Sequence, residues 1–457
     1  MIDRPYGKGS ISELISGPDA VTGTFNEGEI MKRSNQAVRV CVAAALAGAA
    51  ASSYAGGFGI ATQSGSGTGN AFAGGAAAAY DASVAWSNPA AMMALPLGNQ
   101  ITAAGHFLRP SFKFSNTGST GAFAAAGTGE GGDGGDWAFV PNLFFTTDIN
   151  PRLRLGVAVN APFGLKTDYE SGWRGQLTAL KSEIKSVNIN PSVAYKLSDT
   201  VSIGGGVSVQ RLQAELSGFA GSAAAGNLTL KADDTSYGFN LGLLAQVSPG
   251  SRFGFSYRSS IKYDLGGTAS FSGTAGALLG SNVTASLTVP ESASASFFTA
   301  LSPKWDVMGD ITWTGWSQIQ QLDVIRTTAT GTGSAAGSTL TSLAFRWSDT
   351  WRFGIGANYK ASDQMKFRFG IALDRTPTND TTRTPRLPDQ DRTWLAVGVQ
   401  HRVSKAGMLE LGYAHEFVRD AAVNVPVPGF TTCAAGCLTG KFADKADILS
   451  VQYSHLF

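Results

Sequence analysis

Charge is scarce in this chain. Of 457 residues only 15% are Asp, Glu, Lys or Arg, against about 25% in soluble globular domains. The formal net charge is +2, which leaves no basic excess for a nucleic-acid partner. Three cysteines and four histidines are too few and too scattered to suggest a metal site. No G-x-S-x-G motif occurs, so neither a catalytic set nor a cofactor is expected. Long apolar runs are missing too. The one near the start, 40–51, is well short of the ~20 residues a spanning helix needs. Mean hydropathy is +0.01, which excludes a helical membrane protein. What is plentiful is glycine, 57 residues, with 10% aromatics. A large, weakly charged chain of this kind has the composition of a transmembrane β-barrel.

The apolar run at 40–51 follows Lys32, Arg33 and Arg39 and precedes Ser53-Tyr54-Ala55. This is the order of a secretory signal: positive start, short apolar stretch, small-x-small cleavage site. Residues 31–55 are read as that signal, and 1–30 as an upstream extension from an over-extended gene start. Cys41 leaves with the signal. Cys433 and Cys437 remain in "TTCAAGCLTG", where export to an oxidising compartment predicts a disulfide. The alternative is a metal pair, for which no nearby His or further Cys is present.

Downstream the pattern is period two. In "MKFRFGIALD", Phe367, Phe369, Ile371 and Leu373 share one parity, and Lys366 and Arg368 the other. Strand side chains alternate between faces. The same alternation runs through "RLRLGVAVN", "NINPSVAYKL", "RFGFSYRS" and "WRFGIGANYK". Tight connections near 148–151, 198–199, 248–251, 302–304, 361–363 and 404–406 take turns with long ones near 117–136, 163–182, 217–230, 271–282, 323–341, 375–391 and 420–438. Counting segments gives fourteen strands, with a terminal aromatic, Phe457. Short turns alternating with long loops are the rhythm of an outer-membrane barrel. In lipid such a sheet must close, because every backbone polar group needs a partner. The apolar face therefore points outward. Arg152, Arg154, Arg258, Lys366, Arg368, Asp306, Asp310, Glu410 and Glu416 point into the lumen, and a lumen of both signs fits a plugged barrel better than an ion pore.

Residues 56–97 do not alternate. They are small and Gly/Ala-rich, with Phe58, Phe72, Tyr80 and Trp86 among them. They are expected to fold as a plug, with the barrel at 98–457. Gly57-Phe58, Ser64-x-Ser66-Gly67-x-Gly69-x-Ala71, Gly74, Asp81-Ala82 and Asn88-Pro89-Ala90 resemble the N-terminal hatch of the FadL family of outer-membrane transporters. The likeness extends through "APFGLKTDY" (161–169), "YRS" (257–259), "WSQIQQL" (316–322) and "LPDQDRTWLAVG" (387–398).

The resemblance implies a fourteen-stranded barrel that takes up long-chain fatty acids or other hydrophobic molecules passively. A ligand is caught at extracellular loops, held in an inner pocket, and released sideways through a kinked third strand when the hatch shifts. It makes Phe58 the hatch aromatic at the pocket and sets Asn88, Pro89 and Ala90 beside the kink. Asn160, Pro162 and Gly164 fall where the kink is expected. The family's basic carboxylate partner is missing at Ser217-Gly218. Arg346 and Arg211 are the remaining candidates, and the departure brings neutral aromatic or alkane hydrocarbons forward as alternative substrates. A general porin and an outer-membrane lipase are the rival classes. Expected partners are outer-membrane lipid, lipopolysaccharide and the barrel assembly machinery, for a monomer. The mixed-charge stretch 375–392 reads as a solvated loop that touches lipopolysaccharide.

Overall fold

A computed structural model describes residues 56–457; the expected upstream extension, signal and Cys41 lie outside the described residues. Among these, the strands are β1 Gln100–Asn116, β2 Ala138–Asn150, β3 Leu153–Asn160 and Gly164–Asp168, and β4 Lys181–Lys196. Next come β5 Val201–Phe219, β6 Asn227–Ser248, β7 Ser251–Arg258 and Ile261–Phe271, and β8 Ser281–Val289 and Ser292–Ala300. The rest are β9 Trp305–Thr314 and Gln321–Arg326, β10 Thr339–Ala344 and Thr350–Lys360, β11 Met365–Asp374, β12 Arg392–Arg402, β13 Gly407–Val418 and Ala421–Pro426, and β14 Cys437–Leu456. Six of them are interrupted. Each pairs antiparallel with its sequence neighbour, and β14 closes on β1 from Asn116↔Gly440 to Gln100↔Leu456, so the 14 strands form a closed barrel.

Exposure decides which face is outside. Phe367 and Phe369 are 38% and 44% exposed, whereas Arg368 between them is 1% exposed. The apolar rows meet lipid and the charged rows are buried. Arg152 is the exception, standing exposed in the tight turn before β3.

The barrel interior is occupied by residues 56–97. Their short helix Gly65–Thr68 is held by β14: Gly65 N–H donates to Gln452 Oε1 (2.8 Å), and Thr68 Oγ1 lies 2.8 Å from Ser450 Oγ. Arg154 donates to the carbonyls of Met92 and Pro96, both at 2.7 Å. Arg352 reaches the carbonyl of Ala71. The lumenal arginines therefore satisfy backbone carbonyls that short, irregular plug segments leave unpaired. Small residues let the plug lie directly on the wall. A Cβ on Gly242 would stand 2.0 Å from Asn88 Oδ1, and one on Gly370 2.1 Å from the carbonyl carbon of Asn70. Gly242→Ala is expected to displace Asn88, break its bonds to the carbonyls of Ala76 (2.7 Å) and Leu243 (3.0 Å), and cost about 1–3 kcal/mol. Single-channel recording checks this as a rise in ionic leak.

The loop "GGDGGDWAF" is anchored. Asp133 accepts from Ser111 Oγ (2.8 Å) and from the N–H groups of Phe112 (2.8 Å) and Gly135 (3.0 Å). Burial opposes its ionisation, but these bonds outweigh it and hold the carboxyl below its ordinary range.

Candidate functional site

The third strand is interrupted at 161–163. Those three residues oppose only Ser186 and Val187 of β4, a bulge that carries one extra residue. Pro162 has no N–H to give to a ladder. Ser186 Oγ takes the place of a strand partner, accepting from Phe163 N–H (2.8 Å) and donating to Phe163 O (2.7 Å). On the inner side the plug itself completes the break. Gly164 N–H donates to Phe58 O (2.9 Å) and Ile60 N–H to Pro162 O (2.8 Å).

Gln63 joins plug and break through its side chain. Its Nε2 donates to Ala161 O (3.2 Å), and its Oε1 accepts from Asn160 Nδ2 (2.7 Å). Asn160 Oδ1 accepts in turn from Asn188 Nδ2 (2.9 Å). Sequence reading missed Gln63, and its place immediately before the Ser-x-Ser motif is the only signal it carried.

Phe58 is buried in an aromatic cage. Its ring centroid lies 5.0 Å from Trp316, 5.7 Å from Phe163 and 5.8 Å from Trp347. Beside the cage is a cavity of about 260 Å³, lined among others by Gln63, Trp86, Pro162, Phe163, Arg258 and Trp316. Arg258 stacks 3.3 Å over the Trp86 ring and donates to Trp86 O (2.9 Å).

Three expectations are corrected. Asn88, Pro89 and Ala90 do not lie beside the break; they pack on Gly204 of β5 and Gly242 of β6, because only glycine leaves room for the plug backbone there. Arg211 does not reach the interior. The inward parity of β5 belongs to Gln210 and Leu212, and Arg211 stands exposed outside, paired to Asp233 at 3.0 Å. Arg346 does not face the pocket either. It falls in the break of β10 with φ +51°, a left-handed turn of the backbone that leaves its side chain exposed and sends Trp347 inward. Cys433 and Cys437 are joined as a disulfide.

The stretch 375–391 is not a solvated loop. It folds into the barrel mouth, with Arg383, Leu387 and Asp389 buried. Tyr169 Oη donates to Pro385 O (2.8 Å), which ties it to the loop after β3. Here Arg386 borders an apolar pocket of about 360 Å³ with Leu177, Leu216, Leu230, Phe271 and Val427. Its guanidinium donates to Ser182 Oγ (3.1 Å) and Lys181 O (3.3 Å), and its Nε has no hydrogen-bond partner. No carboxylate pairs with it among the described residues. Burial pulls it down to about 10, still protonated at neutral pH. The flanking prolines of "TPRLP" were the sequence signal for a folded rather than solvated loop.

A closed fourteen-stranded barrel with an apolar outer belt and a filled lumen is an outer-membrane protein that does not conduct bulk solutes by an open pore. The chain belongs to the outer membrane protein transport family OMPP1/FadL/TodX, whose family model matches residues 46–457. It is 25% identical over 439 residues to the long-chain fatty acid transport protein of Escherichia coli K12, covering 86% of this chain and 95% of that one. It is 28% identical over 429 residues to outer membrane protein P1 of Haemophilus influenzae, covering 84% and 90%. A Pseudomonas aeruginosa FadL homologue superposes with TM-score 0.80 at 25% identity, over 88% of this chain and all of that one. The Ralstonia pickettii toluene transporter TbuX shares the fold, with TM-score 0.63 at 17% identity over 86% and 98%. The protein is thus an outer-membrane transporter of the FadL type for hydrophobic compounds.

Proposed function

We propose that this transporter takes up long-chain fatty acids passively. The ligand is caught at the mouth, its carboxylate held by Arg386 and its chain by the apolar pocket beside it. It then passes to the cavity by Phe58 and leaves sideways at the β3 break when residues 58–60 withdraw. An acyl chain in an aqueous pore loses about 0.8 kcal/mol per CH₂ exposed, and a sideways exit into lipid avoids that loss.

The single observation that carries this reading is Arg386. Arg386 is half-buried, with its Nε enclosed and unpartnered; a guanidinium so placed with no carboxylate partner is costly, and an anionic headgroup supplies what the protein leaves out. Two curated relatives named for long-chain fatty acids agree with it. The second reading, neutral hydrocarbons, is favoured by the outward placement of Arg211 and Arg346.

The test is uptake of labelled oleate and labelled toluene in a strain lacking its own transporter. Arg386→Ala is expected to weaken oleate binding by about 10- to 100-fold, the value of one charged hydrogen-bonded contact, and to leave toluene unchanged. Toluene uptake without oleate moves the substrate to hydrocarbons. Oleate uptake indifferent to Arg386 removes the residue from the carboxylate site.

A further inference from the structure

Strands β8 and β9 are not joined along their whole length. They pair from Ala300↔Asp306 to Ser292↔Thr314, and again at Thr284↔Ile325 and Val283↔Arg326. Between these ladders, 285–291 of β8 face 315–324 of β9 with no strand pairing. Each side stays paired with its other neighbour, Val289 with Ile261 of β7 and Leu322 with Leu343 of β10. The result is a free strand edge on β8 facing a stretch of β9 that leaves the sheet as one 3-10 turn, Trp316–Gln318, and rejoins it at Gln321. At a rise of ~3.3 Å per residue the slot is about 20 Å long, enough for an extended acyl chain.

Its height is set by the residues around it. Tyr257, Trp313 and Trp351 form the last outward aromatic row just below. Lys262, Asp264, Asn282, Ser317 and Gln318 are exposed at the level of the slot or above it. Free edges are not tolerated in hydrocarbon, so the slot belongs at the outer-leaflet head groups, where water and sugars can satisfy them. Two bonds fasten its lower end: Gly315 N–H to Glu291 O at 3.0 Å, and Gln318 Nε2 to Glu291 Oε1 at 3.4 Å.

Inside, the slot is apolar. Leu287 and Val289 from β8 and Trp316 and Ile319 from β9 are buried in one cluster with Phe58. The Phe58 ring touches Trp316, at the β9 break, and Phe163, at the β3 break. The cavity beside it is bordered by Pro162 of one discontinuity and by Pro290 and Thr314 of the other.

We propose that the β8–β9 seam is a second opening in the wall, through which long-chain amphiphiles dissolved among the outer-leaflet head groups reach the cavity by Phe58. This rests on the hydrophobic-uptake reading above. The chain slides between segments that share no ladder bonds, so admission breaks the Glu291 fastening and parts the packed side chains of Leu287, Val289, Trp316 and Ile319.

The test closes and loosens the seam. Val289→Cys with Ile319→Cys, in a Cys433→Ser, Cys437→Ser background, is bridged on cells with a short bifunctional thiol reagent that a reductant removes. Bridging is expected to cut the initial rate of oleate uptake severalfold, reversibly, relative to the same double variant before bridging, with no reagent-dependent loss in either single-cysteine variant and equilibrium oleate binding by the purified protein retained. Gln318→Ala with Glu291→Gln is expected to raise the initial rate severalfold. Full uptake by completely bridged protein overturns the seam, as does loss of binding on bridging together with an unchanged rate in the loosened variant. If the unmodified protein takes up no oleate, the fatty-acid reading itself fails, which is a separate result.

Discussion

Deletion of 56–96 should turn this protein into an open pore. The plug fills the lumen below the mouth loop 375–391, and the closure of the barrel does not depend on it, since β14 pairs with β1 over the full length of β1. The groups that the deletion uncovers are polar. Arg154, Arg352, Asn142 and Gln452 all donate to the plug, and water can replace those acceptors in an open lumen. The variant is therefore expected to insert and to conduct, at a conductance approaching that of small porins. Planar-bilayer recording reads this directly, and uptake of a polar antibiotic reads it on cells. A deleted barrel that stays closed would mean that the mouth loops, not the plug, seal the protein.

The second large effect is a buried ion pair. Arg368 Nη2 lies 2.6 Å from Glu410 Oε1, and both side chains are at most 4% exposed. Around them are Asn70 (3.3 Å), the Tyr80 ring (4.2 Å) and Gln452, which donates to Glu410 (3.3 Å) and to Asp81 (2.9 Å). Arg368→Ala leaves Glu410 buried beside Asp81 without its cation. Such a loss costs about 3–5 kcal/mol, whereas replacing both partners by apolar residues is often neutral. Thermal unfolding in detergent should thus show a large drop for Arg368→Ala and recovery of most of it in Arg368→Met with Glu410→Leu. Equal stability of the single variant and the parent would mean that water already reaches the pair.

The barrel was legible because its signal is local. Each strand such as β11 carries its own alternation, and lipid outside with charge inside leaves one assignment of faces. The plug was legible as an interruption of that alternation. The site was less so, for three physical reasons. Arg346 was placed by parity, and one left-handed residue in the break of β10 cancels parity. Arg386 sits in a polar stretch whose composition describes a solvated loop, and its burial depends on the loop after β3, some two hundred residues earlier, closing over it. The β8–β9 seam is a relation between two strands, each of which looks ordinary alone. Asn160, Pro162 and Gly164 stand at or beside the break of β3, where the family resemblance set the kink; the local part of that signal was Pro162, which has no N–H for a ladder.

The plug also sets the order in which the molecule can be completed. Gly65 and Thr68, among the first residues made, bond to Gln452 and Ser450, 387 and 382 residues later. The last residue, Phe457, gives its N–H to Asn99 O at 2.8 Å, just before β1. Contacts between opposite ends of a chain are slow to form. The earliest plug segment therefore cannot find its seat until β14 is present to hold it. A chain stopped short of β14 lacks both the closing strand and the hooks that keep the plug in place, so truncation from the C-terminus fails as a whole instead of yielding a smaller barrel.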